Sequence, residues 1–236
     1  MSEFSLIYTH FKHATTRHPS TVLGIGDDCA VSRIPPNSQL VSCVDTLVAG
    51  RHFVHETDPH AIAYKAVAVN LSDLASMGAT PYAILVGLSL PKSMANDDFC
   101  KAFAHGLADA CTPFGVELIG GDTTGSPVLT ISVTALGFVP SNQAITRQGA
   151  CVGDAVCVSD TVGLARLALH GILDDLNGDG HANRPPDSLP HELRQAMQYP
   201  APQVALGRRL IGFANSMIDI SDGLGQDLGH ILRASG

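Results

Sequence analysis

The chain contains no tryptophan, and Phe and Tyr make up only 5% of its 236 residues. Its core must therefore rest on Ala, Val, Ile and Leu rather than on large aromatic anchors. Basic residues are scarce as well: 14 Lys and Arg stand against 22 Asp and Glu, a formal net charge of -8. A nucleic-acid partner needs a basic stripe, and the longest basic run here is Arg208-Arg209, so none is expected. No apolar stretch approaches the roughly 20 residues that cross a bilayer. Met1 to Ser20 carries Glu, Lys, Arg and three His where a leader's apolar segment would lie. The six cysteines include no Cys-x-x-Cys pair. A cytoplasmic protein with reduced thiols, serving as small buried hydrophobes, is expected. Both common glycine-rich routes to a nucleotide are also missing. There is no Gly-x-x-x-x-Gly-Lys-Ser/Thr loop, and Gly24-x-Gly26 lacks its third glycine because Cys29 stands in that place.

What is present is the pattern of a globular α/β or α+β protein, 45% hydrophobic and 15% charged. A helix is predicted from Asp58 to Met77, with Asp58 as cap, Pro59 in the first turn and Gly78 as stop. It is apolar nearly all round and should be buried. A second helix should follow Asn96, with Phe99, Phe103 and Leu107 on one face. Strands are expected at Leu40 to Val44, Tyr82 to Leu90, Val116 to Ile119 and Val128 to Phe138. A new unit is expected from Gly149. In it, Ala155 to Ser159 and Met217 to Ile220 read as strands, and Val162 to Leu169, Pro202 to Phe213 and Leu224 to Ala234 as helices. Asp174 to Pro190 reads as a surface loop. Its Asp175 to Gly180 segment imitates an EF-hand loop, but the twelfth position is Pro186 rather than Glu. His10, His13, His18 and His170 have no metal-ligand spacing and are expected at the surface.

The informative residues are acids that interrupt apolar runs or follow glycine turns. They lie in Gly24-Ile25-Gly26-Asp27-Asp28, Val44-Asp45-Thr46, Leu71-Ser72-Asp73-Leu74, Gly120-Gly121-Asp122-Thr123-Thr124 and Ile218-Asp219-Ile220-Ser221-Asp222-Gly223. Read singly, Asp45 and Asp122 serve equally well as turn or cap residues, and Asp222-Gly223 as a helix start. Read together, so many acids in apolar surroundings need a shared counter-charge, and few basic residues lie near them in the sequence. Magnesium supplies such a charge and bridges carboxylates to phosphate oxygens. Asp73 sits mid-helix with Asn70 at i-3, so the two could converge on one ligand.

These segments, with Asp45 to Phe53, Ala68 to Ala79 and Thr146-Arg147-Gln148-Gly149, resemble the thiamine-monophosphate kinase family in order and along nearly the whole chain. The resemblance implies an N-terminal mixed sheet-and-helix domain of the aminoimidazole ribonucleotide synthetase-like type, over residues 1–148, which dimerises through its sheet. An incomplete C-terminal α+β domain would follow over residues 149–236. It implies transfer of the γ-phosphoryl group of ATP to thiamine monophosphate by direct in-line displacement, without a phosphoenzyme. It assigns magnesium to Asp28, Asp45, Asp73, Asp122, Asp219 and Asp222, ATP contacts to Gly121, Arg147 and Ser221, and a thiamine contact to His52. Two departures accompany the match. Cys43 and Val44 stand where the family has Ser or Thr hydroxyls. Family members also continue past Gly236 with a Gly-Gly-Glu-Asp-Tyr-like segment and a late aromatic, so a C-terminally truncated chain is expected. The alternatives are a nucleotide-binding and dimerisation module without catalysis, and a related enzyme with another acceptor.

Overall fold

The computed structural model describes residues 7–172 and 186–236. Its central helix, α1 (Pro59–Ser76), begins where the sequence signals it: Asp58 Oδ1 accepts the backbone N–H of His60 at 2.8 Å. It ends at Gly78, whose φ of 72° is left-handed. Ten of its residues are buried, including Ile62, Val67, Leu71 and Leu74, because α1 is covered on more than one side. A four-stranded sheet lies beneath it and α2 (Asp97–Cys111) beside it. Gly106 makes the helix pair possible, since a Cβ there would collide with the His60 carbonyl oxygen. Asn96 caps α2 by accepting the N–H of Phe99 at 2.9 Å.

The sheet contains β3 (Ser38–Val48), β4 (Thr80–Leu90), β5 (Glu117–Gly125) and β6 (Thr130–Pro140), in the spatial order β3-β6-β4-β5. The β3–β6 and β6–β4 pairs are antiparallel, and β4–β5 is parallel with α2 as its crossover. One face alternates into the core through Ile131, Val133 and Ala135 and meets α1. On the other face Leu40 and Val44 remain 47% and 61% exposed. The four strands expected before Gly149 are thus present: those at Leu40 and Tyr82 are longer than expected, that at Val116 begins one residue later and runs on to Gly125, and that at Val128 is shifted by two residues.

A short ladder of β1 (Thr21–Leu23) with β2 (Val31–Ser32) was not foreseen. It brackets the Gly24 to Asp28 segment. The Tyr82 hydroxyl holds both strands, bonding Thr21 Oγ1 at 3.1 Å and Ser32 Oγ at 2.6 Å.

The described residues after Gly149 carry helices only: α3 (Leu164–Ile172), α4 (His191–Gln198), α5 (Val204–Arg209) and α6 (Leu224–Ser235). Neither Ala155 to Ser159 nor Met217 to Ile220 forms a strand, which corrects the sequence expectation. A strand needs a ladder partner, and neither segment has one among the described residues. Val156 and Val158 are exposed, and Met217 N–H reaches only the Thr146 carbonyl, at 3.1 Å. Helix α3 starts later than expected because Gly163, with φ of 99°, interrupts its N-terminal end. Helix α5 is shorter than expected and lies against α1, where Gly207 leaves room for the Ala75 carbonyl. The EF-hand-like Asp175 to Gly180 lies outside the described residues, and Pro186–Ser188 is a single 3-10 turn.

His10 and His18 are half-buried rather than at the surface. His10 Nε2 meets Asp97 Oδ1 at 2.9 Å, and the His18 ring packs edge-on against Tyr82. Among the cysteines, only Cys100 and Cys111 are fully buried; Cys29, Cys151 and Cys157 are exposed.

Candidate functional site

Three acids from distant parts of the chain approach one another at the α1 side of the sheet. Asp45 projects from β3, Asp73 from α1, and Asp219 from the segment before α6, all half-buried. Burial, then the charges of Asp219 and Asp45, push the Asp73 carboxyl up to about 6. The nearby Cys43 thiol and the Arg147 guanidinium pull the other way. Burial likewise raises the Asp219 carboxyl, with Asp45 and Asp227 adding to the effect and the Ser72 hydroxyl opposing it. Repulsion among these carboxylates is therefore only partly compensated. Arg147 is the cation that reaches Asp73, so the chain does supply one counter-charge that its sequence spacing had hidden.

Three further predicted residues, Asp28, Gly121 and Asp122, form a second group on β5 and the loop after β1. Asp28, Gly121 and Asp122 line a cavity of about 1020 Å³, with Asp27, Gly26 and Thr123 beside them. Asp28 and Asp122 are exposed, so burial costs them little. Gly121 is demanded by packing in its own right, because a Cβ there would strike the Val86 backbone. Sheet register relates the two groups. Asp45, Val133, Val86 and Gly121 fall in one row across β3, β6, β4 and β5. The two groups thus stand at the two edges of the same level of the sheet, three strand spacings or about 14 Å apart.

Among the described residues no three His, Cys, Asp or Glu side chains already stand at metal-ligand spacing. Converging acids without a closed cage suit a cation that keeps waters and takes phosphate oxygens as ligands. Magnesium binds in this way, through one or two carboxylates. The incompletely compensated charge at Asp73 and Asp219 gives such a cation something to neutralise.

The residue 219–223 segment is held in an unexpected manner. Asp227 Oδ2 accepts the backbone N–H groups of Ser221, Asp222 and Gly223 at 3.0, 3.1 and 3.1 Å. Those amides are therefore occupied. The Asp222 carboxylate accepts from Gln226 Nε2 at 3.0 Å and is exposed. His52 Nδ1 accepts the Val48 N–H at 3.0 Å, which leaves Nε2–H as the donor of the neutral ring. Lys65 Nζ donates to the His52 carbonyl at 3.0 Å and fixes the same turn.

Comparison with known proteins decides the family. The chain is 42% identical to the thiamine-monophosphate kinase of Escherichia coli (strain K12) over 233 residues, 99% of this chain and 69% of that protein. The chain belongs to the thiamine-monophosphate kinase family. Members of the family are phosphotransferases. The kinase of the same name from Bacillus subtilis (strain 168) is 34% identical over 238 residues, 100% of this chain and 71% of its own length. Residues 26–139 match the family model described as AIR synthase related protein, N-terminal domain. The crystal structure of thiamine-monophosphate kinase from Stenotrophomonas maltophilia K279a superposes with a TM-score of 0.83 at 42% identity, covering 100% of this chain and 72% of that one. The structure of AaThiL complexed with AMPPCP and TMP superposes with a TM-score of 0.75 at 30% identity, covering 86% and 63%.

Three residues of this family member escaped the sequence reading. Asn70 was expected to face a ligand beside Asp73. It is fully buried instead, donates to Ala66 O at 2.9 Å and accepts the Asp45 N–H at 3.0 Å. A buried amide must satisfy its own groups first. Asp227 was not singled out in the sequence, where an acid in a helix's first turn is ordinary. Its signal was available, since an acid shortly after Ser-Asp-Gly imitates a capping box displaced by one residue. Tyr82 carried no signal that its hydroxyl would bridge two strands.

Proposed function

We propose that this chain catalyses ATP-dependent phosphorylation of thiamine monophosphate to thiamine diphosphate, with magnesium. The observation that carries the reading is the convergence of Asp45, Asp73 and Asp219 opposite Arg147, in a chain of this family. Asp28, Asp45, Asp73, Asp122, Asp219 and Asp222 are the residues that would hold magnesium. When bound, the metal neutralises phosphate charge and orients the phosphate oxygens. Gly121, Arg147 and Ser221 contact ATP, and Arg147 offers paired N–H donors to a phosphate. His52 contacts the thiamine substrate through Nε2–H. The acceptor phosphate oxygen attacks the γ-phosphorus in line as the bond to ADP breaks, so no side chain carries the phosphoryl group.

In this reading residues 1–148 hold nucleotide and magnesium, and residues 149–236 complete the acid group through Asp219 and Asp222. The outer sheet face, with Leu40 and Val44 exposed, supports a homodimer formed through the sheet. Among the described residues no helix is long and apolar enough to cross a membrane, and we place the protein in the cytoplasm.

The test is chromatographic detection of thiamine diphosphate from the purified chain with ATP, magnesium and thiamine monophosphate. Product should form only with magnesium, and Asp73→Asn or Asp219→Asn should lower the rate by about 100-fold or more. Phosphorylation of a different monophosphate, with none of thiamine monophosphate, would overturn the substrate assignment. Cys43, in place of a hydroxyl beside Asp45, favours a second reading in which nucleotide binds without turnover. Calorimetric binding of magnesium–AMPPCP by a chain that forms no product would select it.

A further inference from the structure

Asp227 is a carboxylate only 3% exposed, in the first turn of α6. An acid placed merely to complement a helix dipole stays in solvent and needs no fixed partner. Asp227 instead directs one oxygen at three consecutive backbone donors, those of Ser221, Asp222 and Gly223. Free amides at the head of a helix form a ready seat for an anion. Here the chain fills that seat itself, and the turn before α6 is tied to the helix that follows it. The turn carries Ser221 and Asp222 and begins two residues after Asp219.

We propose that Asp227 is a positioning residue. By fixing the Ser221–Gly223 turn it holds Asp219 towards Asp45 and Asp73, and so supports the hold of that group on a divalent cation. The second half of this inference rests on the magnesium–nucleotide reading proposed above; the first half stands on the hydrogen bonds alone.

Two substitutions separate the parts. Asp227→Asn keeps an acceptor oxygen but removes the charge, and Asp227→Ala removes both. Hydrogen exchange at the amides of residues 221–223 is measured on the ligand-free chain, and magnesium dependence is measured by calorimetry with AMPPCP. In wild type the three amides should be protected. In Asp227→Ala that protection should vanish while α1 and α2 stay protected. In Asp227→Asn the exchange should quicken modestly, and the magnesium concentration for half-maximal AMPPCP binding should rise about 10-fold. A merely structural role would lower the melting temperature without moving that magnesium midpoint. Should Asp227→Ala fail to fold, Asp227→Asn alone decides. Wild-type exchange at 221–223 in Asp227→Asn together with a midpoint within about twofold would overturn the proposal. A wild-type chain that binds no magnesium–AMPPCP would overturn the proposed function and the cation half with it, and exchange would still decide the turn.

Discussion

The Asn70 side chain accepts the backbone N–H of Asp45 at 3.0 Å, joining the middle of α1 to β3 beneath the acid group. Asn70 is completely buried, and its own NH2 returns to the Ala66 carbonyl one helical turn earlier. The Cys43 thiol reaches the same Asn70 Oδ1 at 3.7 Å, so one side-chain amide meets two positions on the inner face of β3. Asn70→Ala should cost about 1–3 kcal/mol of stability, because it orphans a half-buried donor and opens space in the core. Urea denaturation followed by circular dichroism measures the loss. A change smaller than about 0.5 kcal/mol would contradict the role assigned to Asn70.

Asp73 gives a pH prediction with a definite sign. Its carboxyl titrates at about 6 in the folded chain against an ordinary 3.8. Between those values the folded state holds the extra proton, so this residue's contribution to stability falls as pH rises through the window. Without divalent cations, Asp73→Asn should therefore gain on wild type from pH 4 to pH 7. Paired thermal melts in chelator at several pH values provide the comparison. A constant difference across that range would remove the burial and repulsion argued for the site.

Tyr82→Phe deletes the hydroxyl that holds Thr21 and Ser32 while leaving the ring stacked on Phe138 at 5.0 Å. The expected cost is about 1–2 kcal/mol. It should be accompanied by faster hydrogen exchange confined to residues 21–32. Uniform loosening of the whole sheet would mean that the hydroxyl's effect is not local to this ladder.

Cysteine labelling checks the packing on both sides of the sheet. Cys29, Cys151 and Cys157 are exposed and should be alkylated first. Burial, then the neighbouring Asp73 and Asp45, push the Cys43 thiol up to about 12, and burial pushes Cys111 up to about 12 as well. Both should stay unmodified at neutral pH until the chain unfolds, because the thiolate is the reactive form. Peptide mapping after a brief exposure to iodoacetamide distinguishes the classes, and early modification of Cys43 would refute its placement.

The N-terminal layer was legible because its signals are local. Asp58, Pro59 and Gly78 mark both ends of α1 by capping chemistry that needs no knowledge of the fold. Alternation through Ile131, Val133 and Ala135 likewise reports a half-covered sheet from within one segment. Ala155 to Ser159 shows the opposite case, since strand propensity there is real but no partner strand stands beside it among the described residues. The acids were read as one set from the sequence, whereas the separation of Asp45, Asp73 and Asp219 from Asp28 and Asp122 depends on strand order, which no spacing encodes. Asn70 reversed its expected role because burial made its hydrogen bonds obligatory, and Arg147 reached Asp73 only through the tertiary fold.

The acid group draws on β3, on α1 and on the segment before α6, so its last member belongs to the late part of the chain. Anything that bridges Asp45 and Asp73 to Asp219 works as a clasp between early and late segments, and its binding energy adds directly to their docking. Resistance of residues 186–236 to a protease should then track ligand saturation, and the chain's own durability becomes a gauge of how much of that ligand surrounds it.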